Sequence, residues 1–173
     1  MEQRGIQIRV VDSYSALDRL TLSGGETDPN QINSFGLEWQ PKTHHVLVCK
    51  DGVTVSHIGF VLQAVTVEGR SIRVSGIGAL LTRPDYRGQG FGRIGMEAVE
   101  RLIRRQRMAG FGMLFCRVQL QPWYERLNWV PVAAPVWIDQ PQGVRQSPLP
   151  VMVKCFGPES WPPGAVWLES FPW

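Results

Sequence analysis

The sequence lacks long apolar runs, and this shortage argues against a membrane protein. Its longest apolar runs, such as Ile58 to Leu62, fall far below the ~20 residues that a membrane-spanning helix needs. The first residues, Met1 to Arg4, lead into a polar segment without the apolar core of a signal peptide. We therefore expect a cytoplasmic protein with no membrane partner.

Cysteine and histidine are too few and too scattered for a disulfide framework or a metal site. The cysteines are odd in number and show no Cys-x-x-Cys spacing; they are Cys49, Cys116 and Cys155. None of the histidines has a cysteine or an acidic partner at metal-ligand spacing; they are His44, His45 and His57. The sequence predicts free thiols and no bound metal.

The net charge of the chain is also small. The formal net charge of +3 over 173 residues, mostly from arginine, gives a weak field for binding nucleic acid. A phosphate-bearing ligand accounts for this net positive charge equally well, so no nucleic-acid partner is expected. With 43% hydrophobic residues, the chain is long enough for one domain with a core, residues 1–173, and too short for two ordinary domains.

The first half of the chain shows the alternating pattern of β-strands. Strands are predicted at residues 5–11, 44–50, 53–67 and 72–82, with a short helix after Ser15 and a stretch of loop and short helix over 23–41. The tight turns Asp51-Gly52 and Glu68-Gly69 join three of these strands into an antiparallel meander.

The second half changes to helical spacing. Apolar residues from Phe91 to Ile103 predict an amphipathic helix, which Gly110 is expected to close. A strand at 113–118, a short helix from Pro122 to Leu127, and strands at 129–132 and 149–156 follow, and the proline-rich residues 131–150 are expected to be irregular. The predicted class is mixed α/β.

A glycine-rich loop lies between a strand and a helix, and residues 90–95 satisfy G-x-G-x-x-G. We reject the dinucleotide-binding interpretation, because residues 101–124 contain no acid for a ribose and the preceding strands form a meander. Glycines at a helix N-terminus, with Arg87 and Arg93 beside them, still predict a diphosphate site. A turn that only packs tightly is the alternative.

The motif Arg87-x-x-Gly90-x-Gly92, after the strand from Gly78 to Thr82, resembles the coenzyme-binding motif of the GNAT superfamily of acetyltransferases. The resemblance implies acetyl-CoA as co-substrate, no metal, and a twisted, mixed, mostly antiparallel sheet with helices on both faces. It further implies that the sheet splits beside the pantetheine arm. The implied coenzyme-binding residues are Leu80, Leu81, Thr82, Arg87, Gly88, Gln89, Gly90, Phe91, Gly92 and Arg93.

Residues 123–129, Trp-Tyr-Glu-Arg-Leu-Asn-Trp, resemble a second signature of that family. Asn128 replaces a glycine, which its tolerance of left-handed backbone angles permits, and Trp129 replaces a phenylalanine. The resemblance implies that Tyr124 is the general acid that protonates the departing thiolate, as a phenol with pKa ~10 can at neutral pH. The alternative is that Tyr124 only packs in the core.

The general base is not assigned from the sequence. Deprotonating a lysine-like amine at pH 7 costs ~4.6 kcal/mol, against ~1.4 kcal/mol for an α-amino-like group. Many family members use a glutamate. In the aminoglycoside 2'-N-acetyltransferases, which this chain resembles in size and terminal tryptophan, that glutamate matches Gly78, which has no side chain to serve. Other candidates are Ser75, His57 and Cys116.

The acceptor site is the least defined part of the sequence. That subfamily binds polycations with acidic groups, one of them where this chain has Phe171. Acids that could bind an acceptor, or be ordinary surface, are Asp12, Asp18, Glu26, Asp28 and Glu38. We predict that Glu38 and Trp173 bind the acceptor, and that a C-terminal tag weakens acceptor binding by displacing the Trp173 carboxylate.

The sequence therefore predicts an N-acetyltransferase that moves acetyl from acetyl-CoA to a small-molecule primary amine by direct attack. The missing glutamate favours an amine of lowered pKa. A protein or peptide acceptor, and a non-catalytic module that binds CoA or another ligand, remain alternatives. A homodimer is compatible with the sequence, and acyl-chain preference stays open.

Overall fold

Ten strands form one mixed sheet in the computed structural model, which describes residues 5–173. Helices and strands follow each other as β1 Ile6–Val11, α1 Ala16–Ser23, β2 His44–Lys50, β3 Val53–Val67, β4 Arg70–Thr82, α2 Phe91–Arg105, β5 Phe111–Phe115, α3 Gln121–Glu125, β6 Val130–Pro131, β7 Val136–Ile138, β8 Arg145–Gln146, β9 Val151–Cys155 and β10 Val166–Trp167. Single 3₁₀ turns lie at Asn33–Phe35, Pro84–Tyr86 and Val118–Leu120.

The strand order is β6-β9-β5-β4-β3-β10-β7-β8, with β2 on β3 and β1 on β2. Strands β1 to β4 pair antiparallel in sequence order, so the predicted meander is confirmed. Strand β5 joins β4 in parallel and β9 antiparallel, and the only other parallel pair in the described part of the chain is β7 with β10. The predicted fold class, a mixed and mostly antiparallel sheet, is confirmed.

Helices pack on both faces of the sheet. Met96, Val99 and Ile103 of α2 join Ile58 and Phe60 of β3 in one buried cluster. Strand residues of the opposite parity point the other way, and there Tyr14, just before α1, contacts the rings of His45 and His57. The sheet is therefore covered where it carries its longest strands.

The sheet opens between β4 and β5. These strands pair only from Val74–Phe111 to Ile77–Leu114, although β4 continues to Thr82. A bulge in β4 adds curvature, because the register shifts between His57 and Gly59 and Ala79 has a φ of 51°. The outer half of β4 thus lies beside a gap rather than beside β5.

Several predicted boundaries were wrong. Helix α2 ends at Arg105, and Arg107, not Gly110, takes the left-handed conformation (φ 51°), with the Met108 amide donating to the Ile103 carbonyl. Strand β5 runs over Phe111–Phe115 rather than to residue 118.

Residues 131–150 are not wholly irregular, since they contain β7 and β8, and β10 was not predicted. These strands have two or three residues each. A segment that short carries no measurable periodicity, and its pairing depends on distant partners.

No helix within residues 5–173 is long and apolar enough to cross a bilayer. Over the same residues, no three His, Cys, Asp or Glu side chains gather in an arrangement that could hold a metal ion.

Candidate active site

A cavity of about 800 Å³ lies where β4 and β5 diverge. Its wall comes from the outer half of β4, the loop that follows it, the start of α2, the end of β5, α3, and the segment between α1 and β2. Of the residues predicted to bind coenzyme or substrate or to catalyse, those lining it are residues 80–82, 87, 88, 90–93, 124 and 173. Gln89 and Glu38 do not line it.

The glycine loop presents a row of free backbone donors at one end of the cavity. Within the described chain, the amides of residues 88 to 93 donate to no protein acceptor, and Ile94 is the next to donate, to the Gly90 carbonyl at 3.0 Å. Gly88 and Gly90 have φ values of 75° and 86°, and a β-carbon at either would meet nothing within 4 Å. The start of α2 adds its dipole, so the loop suits an anion.

Two arginines border the loop on its solvent side. The Arg87 Nε donates to the Thr82 carbonyl at 3.1 Å, which turns this side chain along the loop. Arg93 pairs with Glu97 at 2.8 Å in an exposed i,i+4 contact, which is worth little and can be exchanged for a phosphate. Gln89 instead donates to the Asp85 carbonyl, so its side chain braces the turn.

Tyr124, on α3, lines the cavity. Its ring packs edge to face on Trp123 at 4.8 Å, and only 7% of the residue is exposed. Burial raises the pKa of the phenol, and the nearby Cys116 raises it further. The hydroxyl therefore stays protonated over the whole physiological range and remains a proton donor.

The candidate bases from neighbouring strands are placed unfavourably. His57 lies outside the cavity lining, with Nδ1 at 2.8 Å from the Ala79 carbonyl and Nε2 at 2.9 Å from His45 Nδ1. Burial lowers its pKa to about 4. Cys116 does line the cavity, but burial raises its thiol pKa to about 11, and Ser75, a residue of β4, is fully buried and does not line the cavity.

Aromatic side chains close the end of the cavity remote from the glycine loop. The indole of Trp173 packs on Phe115 at 5.4 Å, and Phe115 packs on Trp39 at 6.2 Å. Trp173 Nε1 donates to the Met113 carbonyl at 3.2 Å. A β-carbon at position 76 would stand 2.8 Å from the indole Cγ, so the glycine there makes room for Trp173.

Lys42 was not predicted from the sequence, yet it lines this same end. Its alkyl chain crosses Gly59 and Gly78, which are directly paired on β3 and β4. Burial lowers the pKa of its amine to about 8. Lys42 lies in the irregular segment before β2, so no periodicity points to it. The available signal was that the chain has only three lysines.

Acidic side chains contribute little to the cavity. Among the described residues, Glu26 is the one acid in its lining, and its carboxylate lies 3.9 Å from Arg87. Asp28 accepts from the amides of Ile32 and Asn33, which lowers its pKa and gives it a structural role. Asp18 bonds to the helix cap Ser15, and neither it nor Asp12 or Glu38 lines the cavity.

Comparison with known families gives one match over most of the chain. Residues 12–129 match the acetyltransferase (GNAT) family. A curated relative, an aminoglycoside 2'-N-acetyltransferase of Mycolicibacterium fortuitum, is 28% identical over 104 residues, which is 60% of this chain and 52% of that protein. The match thus spans about half the length of the curated relative.

Solved structures share the fold. A GNAT family N-acetyltransferase of Escherichia coli, solved with CoA, aligns over 95% of this chain and 89% of its own, with a TM-score of 0.64 and 16% identity. A GNAT family acetyltransferase of Brucella melitensis, solved with acetyl-CoA, aligns over 92% and 94% with a TM-score of 0.52 and 16% identity.

Proposed function

Because this chain belongs to the acetyltransferase (GNAT) family, a family of acyltransferases, we propose that it transfers acetyl from acetyl-CoA to a primary amine of a small molecule. The observation that supports this most is a single cavity lined both by the glycine loop, whose amides are free, and by Tyr124. We take residues 1–173 as one acyltransferase domain, since the described strands all belong to one sheet and the glycine loop and α3 both border it.

The diphosphate and the pantetheine arm of the coenzyme need different surroundings, and the cavity has a region suited to each. The diphosphate binds the amides of residues 88 to 92, with Arg87 and Arg93 beside it. Each charge-assisted hydrogen bond of this kind contributes ~1.5–3 kcal/mol. The pantetheine arm lies along Leu80, Leu81 and Thr82, where β4 has no β5 neighbour. Relatives solved with CoA or acetyl-CoA share this fold.

The transfer follows from the position of Tyr124. The neutral amine attacks the thioester carbonyl, and the C–N bond forms as the carbonyl electrons move to oxygen. Collapse of that adduct breaks the C–S bond and expels the thiolate. Tyr124 donates its proton to the sulfur, and the proton lost by the amine balances the reaction. A phenol of raised pKa stays protonated until a strong base forms beside it.

The residues at the end of the cavity remote from the glycine loop argue against a polycationic acceptor. Trp39, Phe115 and Trp173 form the walls of this end together with Lys42. Arg117 is a further cation in the cavity lining, and Glu26 lies near the loop by its contact with Arg87. A polycation needs several acids to replace its hydration. We therefore infer an acceptor with one amine of modest pKa on a largely uncharged body, rather than an aminoglycoside. An aminoglycoside is the second candidate, on the strength of the M. fortuitum relative.

A panel of amines tests the proposal. The chain is incubated with acetyl-CoA and single amines: arylalkylamines, amino sugars, aminoglycosides, α-amino acids and lysine peptides. Free thiol and acetylated product are measured together. We expect thiol release with an amino sugar, matched one to one by its N-acetyl derivative. Tight acetyl-CoA binding with no amine-dependent thiol release would identify a non-catalytic CoA-binding module instead, and a peptide product would move the acceptor to proteins.

A further inference from the structure

Two glycines on neighbouring strands leave a channel that the Lys42 side chain fills. Gly59 and Gly78 face each other across β3 and β4. A β-carbon at position 59 would stand 2.8 Å from Lys42 Cβ, and one at position 78 would stand 3.0 Å from Lys42 Cε. Any larger residue at either position would displace the lysine. The chain thus holds the stem of Lys42 flat on the sheet and directs its amine into the cavity beside β4.

The amine has no ionic partner. Its one hydrogen bond is to the Gln40 carbonyl, at 3.3 Å, and in residues 5–173 no carboxylate lies within 4.0 Å of it. The titratable groups on this face of β2 and β3 are His45 and His57. Across the cavity lie Cys116 and Arg117, on the segment after β5, and the main chain of Trp173 covers Gly78. None of these side chains is acidic, and the carboxyl group of Trp173, although it lies over Gly78, makes no ion pair within 4.0 Å of the amine.

Burial without a partner disfavours the charged form of an amine. The pKa of Lys42 accordingly falls from 10.5 to about 8. At pH 8 about half of such lysines are neutral, compared with roughly 0.3% of ordinary ones. A neutral amine facing a cavity has one lone pair with which to accept a proton.

We propose that the Lys42 amine is the general base that deprotonates the incoming acceptor ammonium. The inference rests on the proposed function, since it needs an amine acceptor. The acceptor N–H bond breaks and its proton moves to the Lys42 nitrogen, which leaves the acceptor lone pair free to attack the thioester. Lys42 then returns the proton to solvent. Tyr124 supplies the separate proton that the thiolate takes, and the second proton that the nitrogen loses as the amide forms restores the phenol.

Substitutions at Lys42 separate a base from a positive charge. Lys42→Met keeps the alkyl stem, and Lys42→Arg keeps the charge but cannot accept a proton at any working pH. We expect both to lower kcat/KM for the acceptor by ~10²-fold or more at pH 7.5, with acetyl-CoA Kd changed less than twofold. The loss should shrink as pH rises and the acceptor deprotonates unaided. Lys50→Met, outside the cavity lining, should match the wild type.

Each other outcome overturns the inference in a different way. If Lys42→Arg had near-wild-type activity, the role of Lys42 would be electrostatic. If Lys42→Met were active, Lys42 would have no role in the reaction. Acetylation of Lys42 itself would make it an acceptor. A wild type without amine-dependent thiol release would overturn the proposed function together with the base, whereas an active wild type with unaffected variants overturns the base alone.

A direct titration gives a second readout. The chain has three lysines, Lys42, Lys50 and Lys154, so ¹³Cε-labelled lysine gives three signals that the single Met variants assign. We expect the Lys42 signal to titrate near pH 8, well below the 10.5 of an ordinary lysine. A Lys42 midpoint above pH 10 would contradict the base role, because the amine would then be charged whenever the acceptor is.

Discussion

The Nδ1 atom of His57 lies 2.8 Å from the carbonyl oxygen of Ala79, the left-handed residue in the bulge of β4. A carbonyl can only accept, so Nδ1 carries the proton and donates it. His57 Nε2 then accepts from His45 Nδ1 at 2.9 Å. This chain of two imidazoles fixes the bulge that turns the outer half of β4 toward the cavity.

Stability should fall in acid because burial disfavours the charged form of His57 and so lowers its pKa. The His57 pKa drops from 6.5 in the unfolded chain to about 4 in the folded one, so the unfolded state binds the proton better. The contribution is complete above pH 6.5 and is lost as pH falls toward 4, up to about 3 kcal/mol. Burial lowers the pKa of His45 in the same direction.

Urea unfolding of the wild type and His57→Gln between pH 7 and 4 measures this effect. The variant should be less stable at pH 7 but should lose less stability on acidification. His44→Gln, on the neighbouring strand β2 and outside the His45–His57 hydrogen bond, is the matched control. Equal slopes for the wild type and His57→Gln would show that His57 is not the group that titrates.

Tyr124→Phe tests the proposed acid. We expect kcat to fall by ~10²-fold or more, since general acid catalysis contributes 10²–10⁴-fold, while acetyl-CoA Kd changes little because the ring and its packing on Trp123 remain. Tyr86→Phe is the control, as it removes a hydroxyl from the same cavity wall. Single-turnover rates are needed so that chemistry is observed. An unchanged rate would make Tyr124 a packing residue.

A buried ion pair ties α2 to β9 behind the site. Glu100 accepts from Trp129 Nε1 at 3.0 Å and from Lys154 Nζ at 2.6 Å, and Lys154 also donates to the Leu127 carbonyl that follows α3. Glu100→Gln leaves the Lys154 ammonium buried without a counter-charge and should lower the free energy of unfolding by about 3 kcal/mol or more.

The exposed Glu97 on the same helix supplies the matched control for that measurement. Its pair with Arg93 is solvated, so Glu97→Gln should cost less than about 1 kcal/mol. Denaturant midpoints for the two variants compare them directly. Similar losses would mean that the Glu100 pair contributes no more than a surface contact.

The sequence predicts those parts of the fold whose signals are local. Alternation and the Asp51-Gly52 and Glu68-Gly69 turns specify the meander, and glycines before an amphipathic helix specify the loop. Strands β7, β8 and β10 were missed because each has only two or three residues, and because β10 pairs with strands that are distant in the sequence. Lys42 was missed because its place depends on two glycines that become neighbours only when β3 and β4 pair.

Coenzyme binding at the glycine loop is the central claim, because the roles proposed for Tyr124 and Lys42 both depend on where the coenzyme lies. Gly90 has a φ of 86° and open space around it, and Gly52 has nearly the same φ, 82°, at a turn outside the cavity lining. Aspartate at either position carries the same backbone strain, but only at Gly90 would its charge meet the diphosphate of the proposed site. Calorimetry of acetyl-CoA binding should give a Kd for Gly90→Asp at least tenfold weaker than for the wild type, the equivalent of ~1.4 kcal/mol, and an unchanged Kd for Gly52→Asp. Equal affinity in all three proteins would place the coenzyme elsewhere and contradict the account.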